Sequence, residues 1–147
     1  MKIRRILHPS DFSRASRPAL ALARELARAF EAELILCHAV QPVMPVGPGE
    51  GYVSARLVQQ MWSAAERDAR QRLGRLARSA TAAGLRVRSL VLEGPAADAI
   101  VRAAQRQRAD LIVLGTHGRT GMRRLLIGSV AERVVRTAKS PVLTVAG

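Results

Sequence analysis

The chain has 147 residues, of which 48% are hydrophobic and 24% charged, and its formal net charge is +13. One globular domain over residues 1–147 is expected, long enough to bury roughly two-thirds of its unfolded surface and neither disordered nor membrane-spanning, since no apolar run approaches ~20 residues. Aromatic residues are only 3%, too few for a stacking platform, and no helix-turn-helix or zinc-finger pattern occurs, so nucleic acid is not the expected partner despite the charge.

Short apolar runs alternate with longer stretches of helical period, the pattern of a parallel sheet covered by helices. The start, Met1-Lys-Ile-Arg-Arg, lacks the apolar core of a signal peptide, which points to the cytoplasm. The first strand is expected over about Ile3 to His8, ending in Pro9-Ser-Asp-Phe-Ser13. A first helix follows to about Phe30, capped by Ser13, with Pro18 near its start and Ala15, Ala19, Leu22, Ala23, Leu26 and Phe30 facing inward. The second strand, Glu33 to Val40, holds the lone Cys37, read as a buried, inert thiol of a reducing compartment. Residues Gln41 to Tyr52 contain three prolines and three glycines and form a loop.

A long helix from about Ser54 to Ala83 turns Val58, Met61, Ala65, Ala69, Leu73, Leu76 and Ala80 inward and a row of arginines outward, and Gly84 ends it. A third strand, about Arg86 to Leu92, alternates basic residues with Val87, as suits a strand near a sheet edge. Gly94-Pro95 opens a third helix to about Arg108. Asp110 to Gly115 is the fourth strand, about Ser129 to Ala138 the last helix, and Pro141 to Val145 the final strand.

The fourth strand carries the most specific pattern. Its apolar run, Leu111 to Leu114, stops at Gly115; Gly118 follows after two residues, and Gly128-Ser129 after nine more, opening the last helix. A buried strand ending in glycine reads as the carboxyl edge of a parallel sheet, where open α/β folds bind ligands. A helix start offers unpaired N–H groups, here with the Ser129 hydroxyl and the positive dipole end, to an anion, most often phosphate. The spacing is neither the Walker loop nor the dinucleotide glycine triplet. Taken alone, these residues also permit three turn glycines and a helix cap. The spacing resembles the G-x2-G-x9-G-S/T signature of the nucleotide-binding branch of the universal stress protein family. The likeness covers nearly the whole chain: His8-Pro-Ser-Asp-Phe-Ser13 is similar to that family's first-strand ending, and Ser140-Pro-Val-Leu-Thr-Val145 to its closing strand.

That resemblance implies a Rossmann-like α/β fold of the adenine nucleotide alpha hydrolase kind. It has a single doubly wound open sheet of five parallel strands, order 3-2-1-4-5, with four helices and the ends of strands one and four side by side. It also implies a stress-response regulatory module that binds ATP, or else ADP or AMP. By the same resemblance Pro9 belongs to the nucleotide site, and Ser10 and Ala39 line the base, Ala39 more loosely than the valine often found there. Asp11 meets the base or ribose, although the residues alone equally allow it to be a helix cap. Gly115 and Gly118 let the backbone approach the ribose and phosphates, and Leu114 and His117 line the cleft through their main chain. Gly128, Ser129 and the Val130 amide hold phosphate oxygens, and the Arg119 guanidinium adds forked donors, while Arg123 and Arg124 face solvent. Magnesium would join through the phosphates, since no protein cage for it is visible.

His8 and His38 read as packed, hydrogen-bonded residues, and neither His117 nor Asp11 has a companion that would orient it for γ-phosphate hydrolysis. No catalytic residue is therefore assigned, and a slow ATP hydrolase is the second reading. A third is a polyanion or nucleic-acid binder using the arginine surface, although that bias is equally a mark of genome composition. The closing strand leaves an apolar edge, which the family commonly pairs with its twin, so a homodimer through Val142 to Val145 is expected.

Overall fold

The computed structural model describes residues 2–41, 54–116 and 127–147. Its strands are β1 (Arg5–Pro9), β2 (Glu33–Val40), β3 (Val87–Glu93), β4 (Leu111–Gly115) and β5 (Val142–Val145). They pair in parallel in the order β3-β2-β1-β4-β5, as the resemblance implied. Helices α1 (Arg17–Ala29), α2 (Ala55–Ala82), α3 (Ala96–Arg106) and α4 (Ser129–Thr137) cover both faces. Alternation along the strands sorts the side chains. Ile6, Leu34, Leu36 and Val113 pack with Ala23 of α1 and Leu73 and Ala80 of α2. Their neighbours Leu7, Ile35, Cys37 and Ile112 meet Ile100 of α3 and Val134 of α4 on the other face. No helix among the described residues is long and apolar enough to cross a membrane.

The strand start and the first helix differ from the sequence expectation for local reasons. β1 begins at Arg5 rather than Ile3, because the Asp110 carboxylate, ahead of β4, takes the Arg4 and Arg5 N–H groups at 2.8 and 2.9 Å. Replacing Asp110 with Ala strands both donors and is expected to destabilise the fold by about 2 kcal/mol, since each bond is charge-assisted. Urea unfolding with an unchanged slope checks this; a loss under ~0.5 kcal/mol would show that water replaces the carboxylate at no penalty.

Pro18 has no N–H to donate, so the regular helix starts only at Arg17, after a 3-10 turn over Arg14–Ser16. Ser13 precedes that turn but makes no side-chain cap. Phe30, expected inward, is 47% exposed, because it closes α1 as the chain turns away through Glu31 at φ 52°. Ala27 takes the buried position instead. Ser54 does cap α2, its hydroxyl accepting from Leu57 N–H at 3.2 Å, and Gly84, at φ 83°, supplies the left-handed turn beyond its end.

His8 and Cys37 are both fully buried, as expected. The His8 Nδ1–H donates to Val113 O at 2.8 Å, bracing β1 against β4, and burial pushes the ring's pKa down to about 4. Burial pushes the Cys37 thiol up to about 12, so the sulfur stays protonated and unreactive.

Candidate functional site

At the carboxyl end of the sheet, β1 leads to α1 on one face while β4 leads to α4 on the other. Two adjacent strands with diverging connections leave a crevice between them. A cavity of about 560 Å³ lies there. Pro9, Ser10 and Asp11 line it from the end of β1, Ala39 from β2, Leu114 and Gly115 from β4, and Gly128, Ser129 and Val130 from the start of α4. The fold thus gathers nine of the residues singled out from sequence onto one cavity. His117, Gly118 and Arg119 lie outside the described residues.

The turn after β1 is fixed by several independent bonds. Ser10 N–H extends the β-ladder to Cys37 O at 2.8 Å, and the His38 Nδ1–H donates to Ser10 O at 2.7 Å. Phe12 sits at φ 64°, a left-handed conformation that strains an aromatic residue by roughly 1 kcal/mol. Its N–H donates to Ser10 Oγ at 3.1 Å, and its ring lies 4.5 Å from the His38 ring and beneath the Arg72 guanidinium at 5.5 Å. Within the turn, Asp11 Oδ1 accepts from Ser13 N–H at 3.0 Å and from Ser13 Oγ–H at 2.6 Å. Asp11 therefore organises its own turn as well as lining the cavity, but it is not a helix cap: Ser13 precedes the 3-10 turn and Ser16 is the N-cap of α1.

The opposite wall is a helix start. Glu132 N–H makes the first bond of α4, to Gly128 O at 2.9 Å, so the amides of Ser129, Val130 and Ala131 precede the helical ladder, and all three residues line the cavity. Gly128 caps α4 with no side-chain bond and has φ −57° and ψ 149°, a backbone open to L residues. Any need for glycine there comes from what must approach it, not from the turn. Gly128 N–H also donates to Thr116 O at 2.6 Å, which ties the start of α4 to the end of β4 beside the cavity.

Sequence reasoning missed part of the lining. His38, read only as a packed residue, faces the cavity, and Ala65 and Asp68 of α2 and Ile100 of α3 also border it. Asp68 pairs with Arg72 at 2.9 Å. On the helix its spacing reads as one more solvent-facing charge, and only the packing of α2 over β2 brings it to the crevice. Among the described residues no three His, Cys, Asp or Glu converge on a metal site.

The model of the universal stress protein family matches residues 2–146. The chain belongs to that family. Universal stress protein MJ0531 of Methanocaldococcus jannaschii is 37% identical to it over 143 residues, which are 97% of this chain and 81% of that one. Universal stress protein UspA from Lactobacillus plantarum shares the fold with a TM-score of 0.81 at 23% identity, covering 99% of each chain. A universal stress protein crystallised in complex with cAMP is 28% identical, with a TM-score of 0.65, over 99% of this chain and 98% of that one. In the present universal stress protein, the first and last parts of the glycine signature, Gly115 and Gly128-Ser129, line the same crevice, joined by the Gly128 N–H bond to Thr116 O.

Proposed function

We propose that this universal stress protein is a stress-response binding module that takes an adenine nucleotide, ATP or else ADP or AMP, in the crevice at the carboxyl end of its sheet. The observation that carries the reading is the meeting of a bonded turn, Pro9 to Asp11, with the unladdered amides of Ser129, Val130 and Ala131 across one cavity. The base would lie against Ala39 and the Ser10 backbone. Asp11 would accept from the ribose or the base. Phosphate oxygens would meet the α4 amides and the Ser129 hydroxyl at the positive end of the helix dipole. The complex of a relative with cAMP supports an adenine nucleotide. A magnesium ion would be held by phosphate oxygens and water.

A thermal-shift titration with ATP, ADP, AMP, GTP and polyphosphate tests this. At ligand concentrations ~100 times Kd, binding adds about 2.7 kcal/mol, which for a domain of this size raises Tm by about 5 to 10 °C. Adenine nucleotides should shift the melt and polyphosphate should not. Equal shifts from both would reduce the crevice to a general anion site. A single-turnover assay then decides between a binding module and a slow ATP hydrolase.

We also propose that the protein is a homodimer through β5. That strand ends the sheet order and presents Leu143, 36% exposed, beside an outer backbone edge. Leu143→Lys with Thr144→Pro should turn a dimer into a folded monomer in sedimentation; an unchanged coefficient places the interface elsewhere.

A further inference from the structure

Among the described residues the positive charge is not spread evenly between the two ends of the sheet. At the amino end of the sheet, the segments 2–5, 28–33, 81–87, 105–111 and 136–142 carry nine basic and three acidic residues. At the carboxyl end, the described segments 9–18, 40–41, 54–56, 93–97, 115–116 and 127–130 carry three and two. Helix C-termini also meet at the amino end, and their carbonyls would offset cations. Part of that offset is met by direct bonds: Arg5 donates to Gln107 O, Arg28 to Ala83 O and Arg86 to Glu31 O. Two of the three carboxylates are engaged as well, Glu33 with Arg88 at 3.2 Å and Asp110 with the Arg4 and Arg5 amides. The side chains of Lys2, Arg4, Arg106, Arg108 and Lys139 make no hydrogen bond or ion pair among the described residues, which leaves a surplus of positive charge facing water.

A groove of about 490 Å³ opens at this end, lined by Lys2, Arg4, Arg5 and Arg86, by the carboxylates of Glu31 and Glu33, and by the exposed Phe30. Arg5 and Arg86 are held by backbone carbonyls, which leaves Lys2 and Arg4 as the unengaged cations beside the ring. An aromatic face next to such cations can hold a single strand: bases stack on the ring while the phosphates follow the charge. We propose that the amino end of the sheet binds a single-stranded nucleic acid, with a base on Phe30 and phosphates on Lys2 and Arg4. Composition argues against a stacking platform because aromatics are 3% of the chain, yet the fold places one of the few rings where the basic residues converge. The surface lies at the opposite end of the sheet from the nucleotide crevice, so this proposal stands apart from the one above.

Fluorescence anisotropy with a labelled oligouridylate tests it. Wild-type protein should bind at low salt, with an affinity that falls as salt rises. Lys2→Ala with Arg4→Ala, both exposed, should lessen the salt slope by about 1.4, from ~0.7 per phosphate contact. Phe30→Ala should weaken oligouridylate about tenfold and leave the salt slope unchanged. The α2 variant Arg67→Ala, Arg75→Ala, Arg78→Ala should bind like wild type. Thermal melts matching wild type exclude misfolding in each case. The proposal is overturned by an absence of binding at low salt, by an equal loss in the α2 variant, or by a Phe30→Ala protein that binds oligouridylate as tightly as before.

Discussion

Acidification from neutral pH to pH 4.5 should remove roughly 2.5 kcal/mol of folding stability through His8 alone. The sign follows from the direction of the displacement. Burial holds the His8 pKa at about 4 against 6.5 for the exposed ring, so between those values the unfolded chain binds a proton that the folded chain refuses. Stability from this group is therefore complete above pH 6.5, falls as pH drops toward 4, and levels off below. The structural cause is plain. Nδ1–H already donates to Val113 O, while Nε2 is buried with no hydrogen-bond partner among the described residues, so a second proton would place an unpaired N–H and a charge in the core. His8→Asn keeps a donor toward Val113 and removes the titration. Urea unfolding of both proteins at pH 7 and 4.5 isolates the effect from the carboxylates, which titrate in both. If the two proteins lose stability in parallel, His8 is not the group responsible.

Gly128→Asp should have two effects of opposite sign. Gly128 is the N-cap of α4 with no side-chain bond, and its backbone angles accept an L residue. An aspartate there can accept from the first-turn amides and meets the positive dipole end, stabilising the unliganded protein by a few tenths of a kcal/mol. The same carboxylate stands where a phosphate would sit. It should weaken ATP by about 100-fold or more, since it combines like-charge repulsion with the loss of the amide donors. The expected melt is thus slightly higher without ligand, with the nucleotide shift gone. A variant that melts lower and binds no nucleotide would only show a damaged helix. One that melts higher and still responds to ATP would remove phosphate from the α4 terminus.

Much of this architecture was readable because its causes are local. The Ser54 cap, the left-handed Gly84 and the period of Ala69, Leu73 and Ala80 define α2 within its own residues. The basic residues around Val87 marked an edge strand, and β3 is one. Departures came where a partner far along the chain intervenes. Asp110 takes the Arg4 and Arg5 amides across more than a hundred residues and so sets where β1 begins. Phe30 satisfies the helical period of α1 yet sits at its C-cap, where the chain turns away through Glu31. In the site, Gly115 and Gly128-Ser129 were legible because their spacing is a signature, whereas His38 and Asp68 carry none.

From the sequence alone came the alternation of strands and helices and the glycine spacing of the candidate site, since propensity, periodicity and glycine spacing are properties of neighbouring residues; the strand order came with them only through resemblance. Tertiary structure decided what long-range pairing controls. It set which strand ends adjoin, placed Asp68 and His38 on the cavity wall, and sorted the arginines. The net charge can be counted along the chain, but the gathering of Lys2, Arg4, Arg5 and Arg86 at the amino end is made by crossover connections that return every strand start to the same edge.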